Sequence, residues 1–285
     1  MQKKSFMLLF LILSSCLSNT GSQLPKPSGI NTPDFSQAPQ ENPALTNSSE
    51  EKPKPLLKIT ALNVGQGDAT FIQFPNGKNL LIDAGRDGKG KEIILPFLKS
   101  QNIQLLDGIL VTHYDADHLG GLDEVIRGLD DVSGTEDDLI PTEGVYDRGS
   151  SPLDSSPFFP AYLQAVETKR RTMKAGDILN FDPDITVKCL GAYGDFWNGF
   201  KADLSSPLLN GIENSASIVL LIEYGKFKYL TAGDLTGGGA PGGFQTLDVE
   251  SSWVESLGKV NAVHVNHHGS ATSSNETYVK TLQAQ

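Results

Sequence analysis

The sequence predicts a mixed α/β domain over residues 57–285. Three observations carry this. Runs with strand-like alternation, such as Leu57-Lys58-Ile59-Thr60-Ala61-Leu62-Asn63-Val64, are interleaved with segments whose apolar residues recur at helical spacing, such as Ile94, Leu95 and Leu98. Glycine-bearing turns separate successive strands. Several of the most apolar runs end on a carboxylate or an imidazole, so chemistry-bearing side chains gather where strands stop. At 285 residues, 38% hydrophobic and 20% charged, the chain can bury one sizeable core.

Ahead of that domain, Lys3 and Lys4 precede the apolar stretch 6–13, which is too short to span a bilayer. Residues 1–15 therefore read as a targeting signal. Leu13-Ser14-Ser15-Cys16 resembles the lipobox of bacterial lipoproteins. That implies cleavage before Cys16, a lipid on its sulfur, and an exported protein anchored to the cell envelope; an ordinary secretory signal is the alternative. The only other cysteine, Cys189, lies in the strand-like run 185–190, so no intrachain disulfide is needed. Nothing beside it supplies a base, and it reads as a core residue. Residues 16–56 are rich in Ser, Asn, Pro, Gln and Glu and read as a disordered linker that holds the domain away from a membrane.

The domain opens with the strand 57–64. Gly65-Gln66-Gly67-Asp68 turns the chain into the strand 69–74, Pro75-Asn76-Gly77 signals a hairpin, and 79–82 is the returning strand, closed by Asp83-Ala84-Gly85. The Gly65-x-Gly67 pair lacks a third glycine and leads into a strand, which excludes a dinucleotide-binding turn. Residues 91–101 are helical, 105–111 form a strand, and 121–129 a short helix. Residues 130–160 are acidic, then rich in Ser, Pro and Gly, a surface loop around one strand near 144–146. A helix over 162–171 and strands at 178–180 and 185–192 follow. Asn214-Ser215-Ala216-Ser217 opens the buried strand 218–223, and Tyr224-Gly225-Lys226 turns it into 227–232, which ends on Gly233-Asp234. The strand 260–266 leads into His267-His268-Gly269-Ser270, and 275–282 is helical.

A formal net charge of −11 argues against general tight binding to duplex DNA, which needs a basic stripe to neutralise phosphates. Bound cations can still reverse the sign locally.

The chemistry is densest after the strand 105–111, where His113, Asp115, Asp117 and His118 fall within six positions, followed by Gly120-Gly121. Two imidazoles and two carboxylates this close repel or lose solvation unless a cation sits between them. An EF-hand loop needs further oxygen donors, a glycine at its sixth place and a distal Glu, none of them in register here. A solvated acidic turn is the plainer alternative. Asp234, His267 and His268 each stand at another strand end. Singly each fits a turn or a surface; jointly they fit a site.

The order Asp83, His113-x-Asp115-x-Asp117-His118, Gly233-Asp234, His267-His268-Gly269-Ser270 resembles the metallo-β-lactamase superfamily. Within it, Val64-Gly65-Gln66-Gly67-Asp68-Ala69, Asp115 where a second histidine is usual, Asn214-x-x-Ser217 and the His-His-Gly-Ser tail are similar to the extracytoplasmic hydrolase domain of ComEC/Rec2-type competence (DNA-uptake) proteins. The similarity runs from about residue 57 to the end. It implies an αββα sandwich with two divalent metal ions along one sheet edge. His113 and Asp115 would hold one ion, Asp117 and His118 the second, with Asp234 bridging and His267 or His268 completing the shell. Asp83 would support the metal loop without ligating. Asn214 would be a weak ligand or, like Ser217 and Ser270, a pocket residue. The oxygen donors Asp115 and Asn214 make Mn²⁺ as suitable as Zn²⁺.

The implied activity is metal-dependent hydrolysis. Two cations lower the pKa of a bridging water and clamp phosphodiester oxygens during in-line attack, and Asp117 positions the hydroxide and moves its proton. The leading expectation is an envelope phosphodiesterase or nuclease acting on a phosphodiester or another small ester, single-stranded DNA included. The same centre serves a lactone, a β-lactam or a choline phosphate, because fold does not choose among them. A non-catalytic envelope-binding lipoprotein of the same fold is the remaining alternative. The family pattern usually continues past His-His-Gly-Ser with a helix, a strand and often another histidine. The sequence thus predicts a fragment, or a sandwich missing C-terminal elements, with an exposed sheet edge and poor solubility. No long apolar segment corresponding to the ComEC membrane channel follows the signal.

Overall fold

A computed structural model describes residues 56–150, 156–205, 210–239 and 241–284. The segment expected to be a targeting signal, Cys16 and the expected linker up to residue 55 lie outside the described residues.

The first sheet contains β1 (Lys58–Ala61), β2 (Thr70–Gln73), β3 (Asn79–Ile82), β4 (Gly108–Leu110), β5 (Gly144–Asp147) and β6 (Arg170–Thr172), in that order. β1, β2 and β3 pair antiparallel, and β3 through β6 run parallel. Parallel neighbours need crossover connections. These are the helical stretch Gly90–Ile94 running into α1 (Leu95–Ser100), then α2 (Ala116–Leu119) with α3 (Leu122–Arg127), then α4 (Phe159–Val166). The second sheet has β7 (Ile178–Asp182), β8 (Ile185–Ala192), β10 (Val219–Tyr224), β11 (Phe227–Thr231) and β12 (Ala262–Val263) side by side, with β9 (Asp195–Phe196) on β8. α5 (Ile212–Ser215) precedes β10, and α6 (Ser251–Leu257) and α7 (Glu276–Leu282) flank β12 along the chain.

Strand alternation sorts the apolar side chains into three packed layers. Phe71, Leu81, Ile109 and Val145 face Leu98, Leu122, Val125 and Tyr162 of the helices. Ile72, Leu80, Ile82 and Leu110 point the other way and meet Val187, Cys189, Leu220 and Ile222 of the second sheet. Leu190, Val219, Leu221 and Leu230 face outward from that sheet, under Trp253, Val254, Tyr278 and Leu282 of α6 and α7. Each fully buried Leu or Ile contributes about 1.5–3 kcal/mol of transfer free energy. Helix, sheet, sheet, helix is the αββα sandwich, with both outer layers present. Among the described residues no helix is long and apolar enough to cross a membrane.

The sequence reading does not include α2, α5, α6 or β9, and two of the elements it does give differ in kind or extent. The helix expected over 162–171 starts at Phe159 and ends at Val166, and Arg170–Thr172 is the edge strand β6. Arg170 is drawn there by an ion pair with Asp147 of β5. The strand expected over 260–266 shrinks to Ala262–Val263, because after the His264 N–H bonds the Leu230 carbonyl (2.8 Å) the chain leaves β11, and the Asn266 N–H turns to Ser274 Oγ (3.1 Å).

The topology brings several strand ends to one rim. β3 and β4 are parallel, with Ile82 opposite Leu110, so Asp83 lies beside the segment that leaves β4. β11 and β12 are parallel, with Leu230 opposite Val263, so Gly233-Asp234 and the histidine turn leave together. The Ile218 N–H donates to the Thr112 carbonyl at 2.9 Å, tying the start of β10 to the end of β4.

Candidate metal centre

Asp83 closes β3 with φ 58°, a left-handed conformation uncommon in non-glycine residues. Its Oδ1 accepts the Thr112 N–H (2.8 Å). Its Oδ2 accepts the Thr112 hydroxyl (2.7 Å) and lies 2.9 Å from His118 Nδ1. The single turn of α2 carries His118 back beside His113, their ring centroids 4.1 Å apart. On the second sheet, Gly233 has φ 51° and packs so closely on Thr112 that an added Cβ would lie 2.6 Å from Thr112 Oγ1. Only glycine fits there, and the approach aims Asp234 at the histidines. His267 and His268 also have left-handed backbones, φ 51° and 52°, a strain of roughly 1–3 kcal/mol each. Glu250 braces their turn, accepting from Asn266 Nδ2 (2.7 Å) and from the N–H groups of Ser274 (2.7 Å) and Asn275 (2.8 Å).

Asp234 is the hub. His118 Nε2 is 3.1 Å from its Oδ1, and His267, His268 and His113 present Nε2 to its Oδ2 at 3.5, 3.5 and 3.9 Å. Every one of these rings has its Nδ1 engaged elsewhere: with Thr112 Oγ1 for His113 (3.1 Å), Asp83 for His118 (2.9 Å), Thr272 Oγ1 for His267 (3.2 Å) and Asp68 for His268 (3.1 Å). Asp117 Oδ2 lies 3.5 Å from His268 Nε2, and Asp115 Oδ2 3.7 Å from His113 Nε2.

His113 Nε2, His118 Nε2 and Asp234 Oδ1 are buried without a hydrogen-bond partner. Even the 3.1 Å approach of His118 Nε2 to Asp234 lacks hydrogen-bond alignment. Buried polar atoms left unpaired cost about 1–3 kcal/mol each, and convergent imidazole and carboxylate donors are the set that divalent metal ions take. The residues present therefore fit such ions.

The charge balance agrees. Burial and the neighbouring His118 hold His113 well below its ordinary pKa, so it is a neutral donor. Burial opposes charge on His118, but Asp234 and Asp83 outweigh it and raise that ring well above its usual value. Asp117 and Asp68 raise His268 to about 10, and His268 in turn holds Asp117 below the carboxylate range. Asp234 is also depressed: burial works against its ionisation, and His118 and His113 overcome it. Asp115, by contrast, is pushed up to about 6 by burial and then by Glu213. Divalent ions held here would compete with protons for His118 and His268, since a ligating imidazole nitrogen must be free of its proton.

Of the residues read from the sequence, His113, Asp117, His118, Asp234, His267 and His268 come together. Asp83 stands behind His118, and Asp115 sits at the rim with its side chain 47% exposed. Asn214 and Ser217 lie just before β10, with Asn214 Oδ1 and Ser217 Oγ buried and unpartnered. Ser270 shapes the histidine turn, its N–H donating to the His267 carbonyl (2.7 Å) and its Oγ lying 2.9 Å from Thr272 Oγ1. Sequence reasoning missed Asp68, which with His118, Asp234 and His268 places one ligand atom each within 4.8 Å of the others. It also missed His264, 3.6 Å from Asp68, and Arg86, 3.9 Å from Asp117. The usable signal for Asp68 was a two-glycine turn that no nucleotide motif explains; local sequence carries none for the other two.

Fold and site together define a class. The chain belongs to the metallo-beta-lactamase superfamily, whose profile matches residues 62–283. It is 26% identical over 229 residues to Recombination protein 2 of Haemophilus influenzae, covering 78% of this chain and 23% of that protein. Over 242 residues it is 26% identical to ComE operon protein 3 of Bacillus subtilis, covering 79% of this chain and 27% of that protein. It thus spans about a quarter of the length of these relatives. A shorter match, 45% identical over 77 residues, joins 24% of the chain to 27% of the anti-Pycsar protein Apyc1 of Bacillus phage vB_BsuM-Goe3.

Proposed function

We propose that residues 57–285 form a hydrolase domain with two divalent ions, Zn²⁺ or Mn²⁺, that cleaves phosphodiesters, and that the protein is exported and lipid-anchored to the cell envelope through Cys16. The observation that carries this reading is the convergence of four imidazole Nε2 atoms on Asp234, with Asp117 beside them. His113 and Asp115 would hold one ion and Asp117 and His118 the other, with Asp234 shared and His267 or His268 completing the shell. Bound there, the ions supply Lewis acidity, which activates water and offsets phosphate charge.

The chain's own groups do the rest. Asp117, whose Oδ2 faces the cluster 3.5 Å from His268 Nε2, accepts the proton of the attacking water. Asp83 and the Thr112 hydroxyl lock His118 and His113 in the orientation that turns Nε2 inward. Arg86, 58% exposed and 3.9 Å from Asp117, offers a cation to a non-bridging phosphate oxygen. The likeness to Recombination protein 2 and ComE operon protein 3 supports a nucleic-acid substrate, single-stranded DNA foremost.

Purified protein loaded with Mn²⁺ or Zn²⁺ is expected to hydrolyse bis-p-nitrophenyl phosphate and single-stranded DNA. Asp117→Ala is expected to lose about 100-fold or more of that activity. Equal turnover by this variant, or turnover confined to lactones or β-lactams, overturns the reading.

A further inference from the structure

Between β1 and β2 the turn Gly65-Gln66-Gly67-Asp68 is wedged against the metal loop. Gly67 has φ 131°, and a Cβ there would lie 2.4 Å from the Asp117 carbonyl oxygen. The Asp68 N–H donates to that same oxygen at 3.1 Å, and the Asp68 carbonyl accepts the Gly85 N–H at 2.9 Å. The turn thus delivers a carboxylate to a histidine 200 positions away: Asp68 Oδ1 is 3.1 Å from His268 Nδ1. Both side chains are largely enclosed, 12% and 17% exposed. On the far side of the ring, His268 Nε2 lies 3.5 Å from Asp117 Oδ2 and from Asp234 Oδ2. Asp68 Oδ1 also lies 3.6 Å from His264 Nε2.

The contact repeats what Asp83 does for His118, whose ring lies 5.2 Å from that of His268 between centroids. In both, a carboxylate takes Nδ1 and Nε2 faces Asp234. His113 and His267 differ, their Nδ1 atoms meeting threonine hydroxyls. A carboxylate partner fixes the tautomer that carries its proton on Nδ1 and makes Nε2 the more basic donor.

We propose that Asp68 is a positioning residue that makes His268 a metal donor through Nε2, so that His268 and not His267 completes the shell of the ion shared with Asp117 and His118. The proposal rests on the dimetal reading of the site and is independent of which bond the centre cleaves. It also gives Gly67 a purpose: no side chain could follow it against Asp117, and without that approach Asp68 would not reach the histidine.

The test is metal titration of the full-length apoprotein with Mn²⁺, following free ion by electron paramagnetic resonance and bound ion by elemental analysis. Wild type is expected to take two equivalents. Asp68→Asn, close in shape but uncharged, is expected to bind one equivalent as wild type does and the other about 10–100-fold more weakly. Asp68→Glu is expected to recover part of that loss, and Thr272→Val, which frees His267 Nδ1, to cost less than Asp68→Asn. Imidazole nitrogen NMR of the Zn²⁺-loaded wild type gives a reading that needs no variant: His268 is expected with its proton on Nδ1 and metal on Nε2. Two wild-type-like equivalents in Asp68→Asn, or a His268 ring that is metal-free or bound through Nδ1, overturn the proposal. A wild type that takes up no metal overturns the dimetal reading beneath it.

Discussion

Arg148 and Glu213 form a two-pronged ion pair, Nε to Oε1 at 2.8 Å and Nη2 to Oε2 at 2.6 Å. The guanidinium lies 4.1 Å over the Tyr114 ring, and Glu213 Oε1 also accepts the Tyr114 N–H at 2.7 Å. The pair therefore anchors the residue next to His113. The Arg148 side chain is fully buried and that of Glu213 is 16% exposed, so Glu213→Ala removes both prongs of this pair and the acceptor of the Tyr114 N–H. The expected cost is about 3 kcal/mol, read as a drop in the urea midpoint; a shift within error would show that the pair does not hold the loop.

Gly233→Ala is expected to damage the site from its backbone. The new Cβ would meet Thr112 Oγ1 at 2.6 Å and Thr112 Cβ at 2.8 Å, in a φ region unfavourable to alanine. Thr112 must then withdraw from Asp83, and Asp234 from the histidines. Elemental analysis is expected to find less bound metal than in wild type, with stability lower by about 1–3 kcal/mol. Full metal content in the variant would refute the link.

Cys189 reports on the closed state of the sandwich. Burial, with a smaller push from Asp177, raises its thiol to about 12, so the folded protein carries almost no thiolate at pH 8. In a Cys16→Ser background, a disulfide reagent at pH 8 is expected to label nothing until denaturant is added, then one thiol per chain. Because the folded pKa is raised, native labelling should climb only as pH nears 12. Fast labelling at pH 8 would mean that the space between the sheets opens readily.

Leu110→Ala removes a side chain packed between the sheets with no solvent exposure. The expected loss is about 2–5 kcal/mol, with one unfolding transition reported alike by far-ultraviolet and aromatic circular dichroism. Two separate transitions would show that the layers unfold independently.

The parts of this architecture that sequence reveals are those where burial forces a rhythm. Phe71 and Ile72 alternate between two cores, as do Leu80 and Leu81, and such strands read directly. Arg170-Arg171-Thr172 does not, because an edge strand with exposed charges has no apolar rhythm and continues the preceding helix on paper. The candidate site divides the same way. His113 to His118 is legible because four donors crowd six positions, and Asp234, His267 and His268 because each ends an apolar run. Asp68 and His268 meet only through a turn wedged under another loop, and Glu213 reaches Tyr114 from a helix 99 positions away. Contacts made by folding leave no local trace.

Asp83, His113 and His118 hang from the first sheet, and Asp234, His267 and His268 from the second. A cation gripped by both sets would rivet the two halves of the sandwich across their seam. Chelation should then loosen the molecule far from its rim, and a cut between β6 and β7 would give two pieces of which neither owns a full set of ligands.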